Sequence, residues 1–414
     1  MYLRHDVLPA MLHWQAECAA HPNLWDQNLF KDVLKIGGLK FREQVPEPAR
    51  SKRLFLGYNG TITIGILPVA TYCSGHTYFV QRMPQRMTPP IEPFTVHTTF
   101  QYSGAIGKTH RLREAMMWYD EPSYYAPRLS SRTRAQFSHD FPQLSAALSS
   151  RAGAPRSAGE LQSGGEIQSG AGELQSGSEI QSGAGELQGF LSFDLAVQRH
   201  LVRPAGVMDV SSHFALVHPQ LTQVRAALLL ARRLQRILIL PKLVCGLDRF
   251  WAPHNGTIPG SDTMLPIDPC PADHVLDLEH MARTLDGTIE GMLREYSFLD
   301  NPRAPKELIA SRRVLQPPAG LSADALAILS TAEMRSVRVL HFERMPDLYA
   351  TLPADEGELE QQRMRDWVSI WCCSKPPNPK AAGHVWYDFF WDVIPHTNRH
   401  RKLVSGPWEW SFGP

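Results

Sequence analysis

The sequence predicts an α/β protein with two lobes and a low-complexity insert between them. The chain has 414 residues, of which 43% are hydrophobic, and this is enough for two cores rather than one. Strand-like runs alternate with helix-like runs on both sides of the insert, which is typical of α/β folds. The predicted domains are residues 1–127, 128–189 and 190–414. The net charge of +1 lacks the basic surplus of a nucleic-acid-binding protein, so no nucleic-acid partner is expected.

The first lobe begins with predicted helices and a hairpin. Residues 6–36 place apolar side chains at helical spacing, with a break at Pro22. The runs Arg53–Gly57 and Thr61–Leu67 flank Asn59-Gly60, a dipeptide typical of tight hairpin turns.

The stretch from residue 65 to residue 119 contains the principal candidate site. Strand-like runs lie at Ile62–Val69 and Pro93–Gln101, and a small-residue turn, Ser103–Gly107, then leads into a basic helix from Lys108. A strand, a glycine turn and a helix N-terminus together predict an anion-binding site, because free backbone N–H groups and the helix dipole face the ligand. The alternative is a glycine-rich turn followed by a solvated lysine.

The sequence Gly107-Lys108-Thr109 is not a P-loop. That motif needs a glycine five positions before Gly107, and Tyr102 stands there. A phosphate contact by Lys108 is still expected, but a nucleotide triphosphatase is not.

Two histidines lie beside the strand-like runs. His76 ends the Cys-Ser-Gly-His turn, and His97 lies within the second run. Either is a candidate metal or phosphate ligand, although a lone histidine is more often a structural polar residue. Asp26 and Gln27 are candidates for acid/base or substrate contact, with helix capping as the alternative.

The insert and the second lobe differ sharply in composition. A thirteen-residue Gly-Glu-Leu-Gln-Ser-Gly-type unit repeats from Gly159, and its few apolar residues predict disorder rather than a stacked core. In the second lobe, Val210–Val217 is predicted to be extended, His218–Leu234 helical and Arg236–Val244 a buried strand. These three predict a βαβ unit.

The six cysteines show no CxxC metal spacing. If the compartment is oxidising, six cysteines allow fifteen pairings, so the sequence does not fix the connectivity. The triplets starting at Asn59 and Asn255 are N-glycosylation sequons.

Several segments resemble the plant and algal arabinosyltransferases of glycosyltransferase family 77, and in particular the extensin arabinosyltransferases that lengthen arabinose chains on hydroxyproline. The resemblance rests on segments that occur in the family's order: Trp25–Asn28, Cys73–Gln81, Val96–Asp120, Ser211–Pro241, Arg294–Pro302 and the run WCCSKPPNP…GHVWYD.

The resemblance implies the C-terminal part of a GT-A (Rossmann-like) nucleotide-diphospho-sugar transferase domain, plus a second α/β lobe that resembles O-fucosyltransferases. It implies UDP-β-L-arabinofuranose as donor, a divalent cation such as Mn²⁺, a hydroxyproline-rich glycoprotein acceptor and a Golgi lumenal setting. The roles it implies are a metal ligand at His97, diphosphate contacts at Gly104, Gly107 and Lys108, a rival ligand at His76, and sugar or acceptor contacts at Asp26 and Gln27.

The sequence departs from the family in one important respect. The family's Asp-x-Asp, which chelates the metal and the diphosphate, does not occur in this chain. The first GT-A strands and the membrane anchor are expected only in a full-length form, so an exposed apolar edge is predicted near residues 54–69. Two alternatives follow: a non-catalytic glycan-binding or scaffold protein, and a GDP-sugar enzyme working through Arg249 of the second lobe.

Overall fold

A computed structural model describes most of the chain outside the insert. The described residues are 7–39, 54–65, 67–99, 101–126, 189–202, 210–246, 266–283, 289–365, 370–374 and 383–386. The repeats, the Arg249 loop and the aromatic tail after Trp386 therefore lie outside the described residues. The chain forms two compact units, one from residues 1–73 and 84–96 and the other from residues 74–83 and 97–414. The domain boundaries predicted at 127 and 189 stay a prediction.

Helices and strands alternate along the described chain. The helices are α1 (Leu8–Ala20), α2 (Asp26–Leu34), α3 (Met83–Arg86), α4 (Gly104–Glu114), α5 (Arg199–Val202), α6 (Val210–Arg233), α7 (Leu278–Arg283), α8 (Lys306–Ala310), α9 (Ala323–Leu329), α10 (Ala332–Ser336) and α11 (Ala354–Arg365). The strands are β1 (Leu54–Gly57), β2 (Ile62–Gly65), β3 (Tyr72–Ser74), β4 (Thr95–His97), β5 (Phe190–Phe193), β6 (Ile237–Ile239), β7 (Leu243–Cys245), β8 (Ile267–Cys270), β9 (Leu293–Arg294), β10 (Arg312–Leu315), β11 (Val339–Phe342), β12 (Ile370–Ser374) and β13 (Gly383–Trp386).

The first unit confirms the predicted helices and hairpin. Strands β1 and β2 pair antiparallel, and Tyr58, Asn59 and Gly60 in the turn all have positive φ, as tight hairpin turns require. A small core joins α1, α2 and the hairpin through Ala10, Val33 and Ile62.

The apolar edge predicted near residues 54–69 stays a prediction. Leu67 is 50% exposed and Val69 is 53% exposed, but the apolar side chains of β1 and β2 are half-buried or buried.

The second unit is built on a parallel sheet of five strands in the order β10-β11-β5-β6-β9. One face, with Leu191, Leu238 and Leu340, belongs to the large core that includes α6. The other face, with Phe190 and Ile237, packs on an aromatic cluster. Burial on both faces is what parallel strands require.

The predicted βαβ unit is present, but its first strand was misplaced. Residues 210–217 were predicted to be extended, and they form the start of helix α6 instead. Strand β5 supplies the first strand. The prediction was wrong because α6 is apolar on several sides and continues through Pro219, and a buried helix of this kind shows little periodicity.

The apolar run 236–244 is two short strands rather than one. Strand β6 joins the parallel sheet, whereas β7, which begins after Pro241, pairs antiparallel with β8. A disulfide between Cys245 and Cys270 joins the ends of that pair, with a Cα–Cα distance of 5.4 Å.

Among the described residues, no helix combines the length and the apolar character needed to cross a bilayer.

Candidate functional site

The small-residue turn Ser103–Gly107, called the donor corner below, forms the first turn of α4. The helix begins at Gly104, four residues before the predicted start, so the two glycines lie in its first turn rather than in a loop before it. Gly104 has a φ of +55°, a value that favours glycine. Gly107 is buried, whereas Lys108 is exposed, so the lysine amine is available to solvent beside the helix N-terminus.

Carboxylates of the same unit lie at this corner. Asp273 Oδ2 accepts a hydrogen bond from the Tyr102 backbone N–H at 3.0 Å. A Cβ placed on Gly104 would lie 3.3 Å from the Glu279 carboxylate. The positive end of the α4 dipole therefore already interacts with two acidic side chains, and any bound diphosphate would compete with them.

Asp273 also anchors the helix through a buried ion pair. Its Oδ1 accepts from Arg111 Nε at 2.9 Å, and neither side chain is exposed. Burial alone would raise the pKa of Asp273, but the Arg111 guanidinium and His274 outweigh burial and hold that pKa well below its usual range. Asp273 is therefore ionised and holds the start of α4 in place.

A second set of buried charges surrounds the C-terminal half of α4. Arg113 Nη2 donates to Asp120 Oδ1 at 2.5 Å, and Arg113 Nη1 donates to Glu290 Oε1 at 2.8 Å. The Arg113 and Arg294 guanidinium groups lie 4.1 and 4.2 Å from the centroid of the Tyr124 ring. The Tyr124 hydroxyl donates to Glu295 Oε2 at 2.5 Å, so α4 is tied to the carboxyl end of β9.

Glu114 and His110 occupy the interior of this cluster. Burial raises the pKa of Glu114 to about 8, although the Ala272 N–H opposes the shift. Burial and the Arg113 charge lower the pKa of His110 to about 4. At neutral pH both groups are therefore mostly uncharged, and their Nε2 and Oε1 atoms lie 3.6 Å apart.

His76 and His97 have different surroundings. His76 is buried at the start of a π-helical turn, His76–Val80, and His97 is exposed. The two are close along neighbouring backbone, because a Cβ on Gly75 would lie 2.2 Å from the Thr99 carbonyl oxygen. In the part of the chain that the structure describes, no group of three or more His, Cys, Asp or Glu side chains could hold a metal.

Asp26 and Gln27 lie in the first unit, in the first turn of α2, and both are exposed. Asp26 Oδ1 accepts from the Gln27 N–H at 2.7 Å. This contact is a local helix-start interaction, and a catalytic role for either residue stays a prediction.

Sequence reasoning missed Asp273, Glu279 and Arg294. The two acids follow the corner by more than 160 residues, and no local motif marks them. The only sequence signal is the group of charged side chains Arg111, Arg113 and Glu114, because charged side chains on a buried helix need buried partners.

Sequence comparison adds a family match to these features. Residues 6–112 match the family model described as nucleotide-diphospho-sugar transferase. The match ends within α4 and includes the predicted donor corner.

The chain is also similar to the arabinosyltransferase XEG113 of Arabidopsis thaliana, with 32% identity over 409 residues. The matched region is 92% of this chain and 52% of that relative, so the chain spans about half the length of the protein it matches. No solved structure matches. The resemblance inferred from the sequence is confirmed at this level: the chain is similar to an arabinosyltransferase along most of its length, and residues 6–112 match the nucleotide-diphospho-sugar transferase model.

Proposed function

We propose that the protein is a UDP-sugar-dependent glycosyltransferase that moves L-arabinofuranose, or another pentose, to hydroxyproline-linked arabinosides of cell-wall glycoproteins. The observation that carries this proposal is the similarity to an arabinosyltransferase along 92% of the chain, together with the family match over residues 6–112.

The donor diphosphate is proposed to bind at the first turn of α4. The exposed amine of Lys108 and the backbone N–H groups beside Gly104 and Gly107 would offset the charge that develops on the departing UDP. His76 is proposed as a further donor contact. The Asp273 and Glu279 carboxylates lie at the same turn. They are already paired with Arg111 and Arg283 respectively, so the diphosphate would have to bind beside these ion pairs.

A Mn²⁺ ion with His97 as a ligand is part of the proposal, but His97 alone does not fit a metal site. The described residues bring no three ligands together, and a divalent transition metal needs more than one protein ligand. No catalytic step is therefore assigned to the metal, and its binding is left to direct titration.

Asp26 and Gln27 are proposed to contact the acceptor sugar, with Asp26 as a candidate general base for its hydroxyl group. Both side chains are exposed, as an acceptor contact requires. General-base catalysis of this kind contributes roughly 10²–10⁴-fold to the rate.

A Golgi lumenal location is proposed for the same protein. The buried disulfide Cys245–Cys270 supports it, because stable disulfides form in oxidising compartments. Asn59, the first sequon residue, is exposed in the hairpin turn.

A non-catalytic glycan-binding or scaffold protein is the second candidate. The carboxylates at the α4 N-terminus and the lack of a metal-holding group among the described residues favour it. It predicts no metal-dependent UDP binding.

Isothermal titration of UDP with and without Mn²⁺ separates the two candidates. The enzyme proposal predicts binding that Mn²⁺ strengthens, that Lys108→Ala weakens about fivefold, and that His97→Ala makes insensitive to metal. Lys306→Ala is a matched control, since Lys306 is an exposed lysine in the first turn of α8.

A third variant tests the corner itself. Glu279→Gln removes a charge from the α4 N-terminus and should tighten UDP binding by about two- to fivefold, because one dipole-level charge interaction is worth roughly 0.3–1 kcal/mol. Unchanged UDP affinity in both Glu279→Gln and Lys108→Ala would place the donor elsewhere.

A further inference from the structure

The order of the parallel strands identifies a second place where a ligand can bind. From β5 the chain winds through β6 to β9 on one side of the sheet, and it then crosses over to β10 and β11 on the other side. The winding therefore reverses between β5 and β11. Open α/β sheets bind ligands outside the carboxyl ends of the strands at such a reversal.

A hydrogen-bonded cluster lies at this reversal. Ser192 of β5 and His341 of β11 are opposite each other in the strand register, and Ser192 Oγ lies 2.9 Å from His341 Nδ1. His341 Nε2 lies 3.4 Å from Asp194 Oδ2. Asp194 directly follows β5 and shares a face with Ser192, because side chains alternate along a strand.

The cluster runs from the sheet interior to solvent. Ser192 and His341 are buried, whereas the Asp194 side chain is 68% exposed. Burial and the charge of Arg312 lower the pKa of His341, so its ring is neutral at neutral pH. In the tautomer that satisfies both contacts, Nε2–H donates to Asp194 and Nδ1 accepts from the Ser192 hydroxyl.

The contact with Ser192 fixes the His341 ring, and the His341 ring in turn orients the Asp194 carboxylate. A carboxylate has about four acceptor positions, and the His341 ring uses one of them. The Asp194 side chain is largely exposed, so its remaining acceptor positions are open to a ligand.

We propose that Asp194, oriented by His341 and Ser192, binds a sugar ring through two neighbouring hydroxyl groups. A carboxylate at a strand end accepts from both hydroxyls of a diol, as acidic residues do for ribose in dinucleotide-binding folds. Ser192 and His341 are positioning residues in this site. The identity of the sugar rests on the proposed function, and the diol belongs either to the ribose of a uridine nucleotide or to an arabinose of the acceptor.

Two calorimetric titrations of the whole chain test the proposal, one with UDP and one with a hydroxyproline-linked tri-arabinoside. Asp194→Asn keeps the shape of the side chain and removes its charge, so binding of the probe that supplies the diol should weaken about tenfold. His341→Gln should weaken the same probe by a smaller factor. Asp300→Asn is the control, because Asp300 is an exposed acid in a turn.

The two probes also separate this inference from the proposed function. Asp194-dependent arabinoside binding assigns the diol to the acceptor, and Asp194-dependent UDP binding assigns it to the donor ribose. If the wild-type chain binds neither probe, or if Asp194→Asn changes neither affinity by more than twofold, the inference is overturned. UDP binding that needs Lys108 but not Asp194, without Asp194-dependent arabinoside binding, would leave the proposed function standing and remove this site. Because Asp194 is exposed, Asp194→Asn should fold with an unchanged Tm, which thermal unfolding checks.

Discussion

Replacing Glu114 by glutamine should change how the stability of the protein depends on pH. Glu114 is buried inside the α4 charge cluster, and burial raises its pKa from 4.5 to about 8. Burial also lowers the pKa of its neighbour His110 from 6.5 to about 4. The two shifts have opposite effects on the free energy of unfolding, so the variant isolates one of them.

The expected magnitude follows from the number of protons bound in each state. Between pH 4.5 and 8 the folded protein holds a proton on Glu114 that the unfolded chain has lost, so stability falls by about 1.4 kcal/mol per pH unit. Between pH 4 and 6.5 the unfolded chain holds a proton on His110 that the folded protein lacks, so stability rises at the same rate. The two slopes cancel between pH 4.5 and pH 6.5. Above pH 6.5 only the Glu114 contribution remains, and it lowers the stability of the wild type at pH 8 by roughly 2 kcal/mol relative to pH 6.5.

In the Glu114→Gln variant residue 114 cannot lose a proton, so it no longer makes the free energy of unfolding fall as the pH rises. Its oxygen can still accept from the Ala272 N–H, which donates to Glu114 Oε1 at 3.0 Å in the wild type, so the fold should be retained. Relative to the wild type, its stability should therefore rise steadily from pH 5 to pH 8. Urea unfolding at each pH, followed by tryptophan fluorescence, measures the difference, and groups common to both proteins cancel.

A surface substitution provides the control for this series. Glu307→Gln alters an exposed carboxylate of α8 and should leave the pH slope unchanged. Parallel wild-type and Glu114→Gln curves between pH 6.5 and 8 would refute the reasoning, because they would mean that Glu114 is ionised in the folded protein.

Three further predictions concern stability. Arg111→Met leaves the Asp273 carboxylate buried without its 2.9 Å partner and should destabilise the fold by about 3–5 kcal/mol, as chemical denaturation would show; the double variant with Asp273→Asn should recover part of the loss. Replacing Cys245 and Cys270 by serine removes a disulfide with a sequence separation of 25, and we expect a loss of about 2–4 kcal/mol, absent if the wild type is first reduced. Gly75→Ala would place a Cβ 2.2 Å from a backbone carbonyl oxygen, so its Tm should fall well below that of Gly357→Ala, where the nearest neighbour of an added Cβ is 3.9 Å away.

The hairpin and helix α4 could be predicted because their signals lie within short stretches of sequence. The hairpin follows from Asn59-Gly60, because few other residues adopt the positive φ that the turn needs. Helix α4 was also predicted, although its start was placed four residues late because Gly104 and Gly107 suggested a loop. The strand predicted at 210–217 was wrong because tertiary burial, which the sequence does not display locally, allows an apolar segment to be helical.

Only the part of the site that is contiguous in sequence was predicted. The glycines and Lys108 are contiguous in sequence, so the pattern of an anion-binding corner is visible. Asp273 and Glu279 approach that corner only because the chain folds back after β8, and no spacing rule anticipates this. The disulfide is a similar case, because six cysteines leave many pairings open until the β7–β8 register is known.

The parallel sheet explains why residues from distant segments meet at one edge. Asp194 follows β5 and Glu295 follows β9, and parallel strands have their carboxyl ends on the same side. Only β6 separates β5 from β9, so the two strand ends are about 10 Å apart. Tyr124 and Arg113 tie the C-terminal end of α4 to Glu295, and the proposed donor corner lies at the other end of that helix, roughly 15 Å away. A single extended ligand that reached both the donor corner and the Asp194 site would make UDP binding depend on Lys108 and on Asp194 together, whereas two separate ligands would make each affinity depend on one residue only. Comparing UDP binding by the Lys108→Ala and Asp194→Asn variants therefore decides whether the two sites hold one substrate or two.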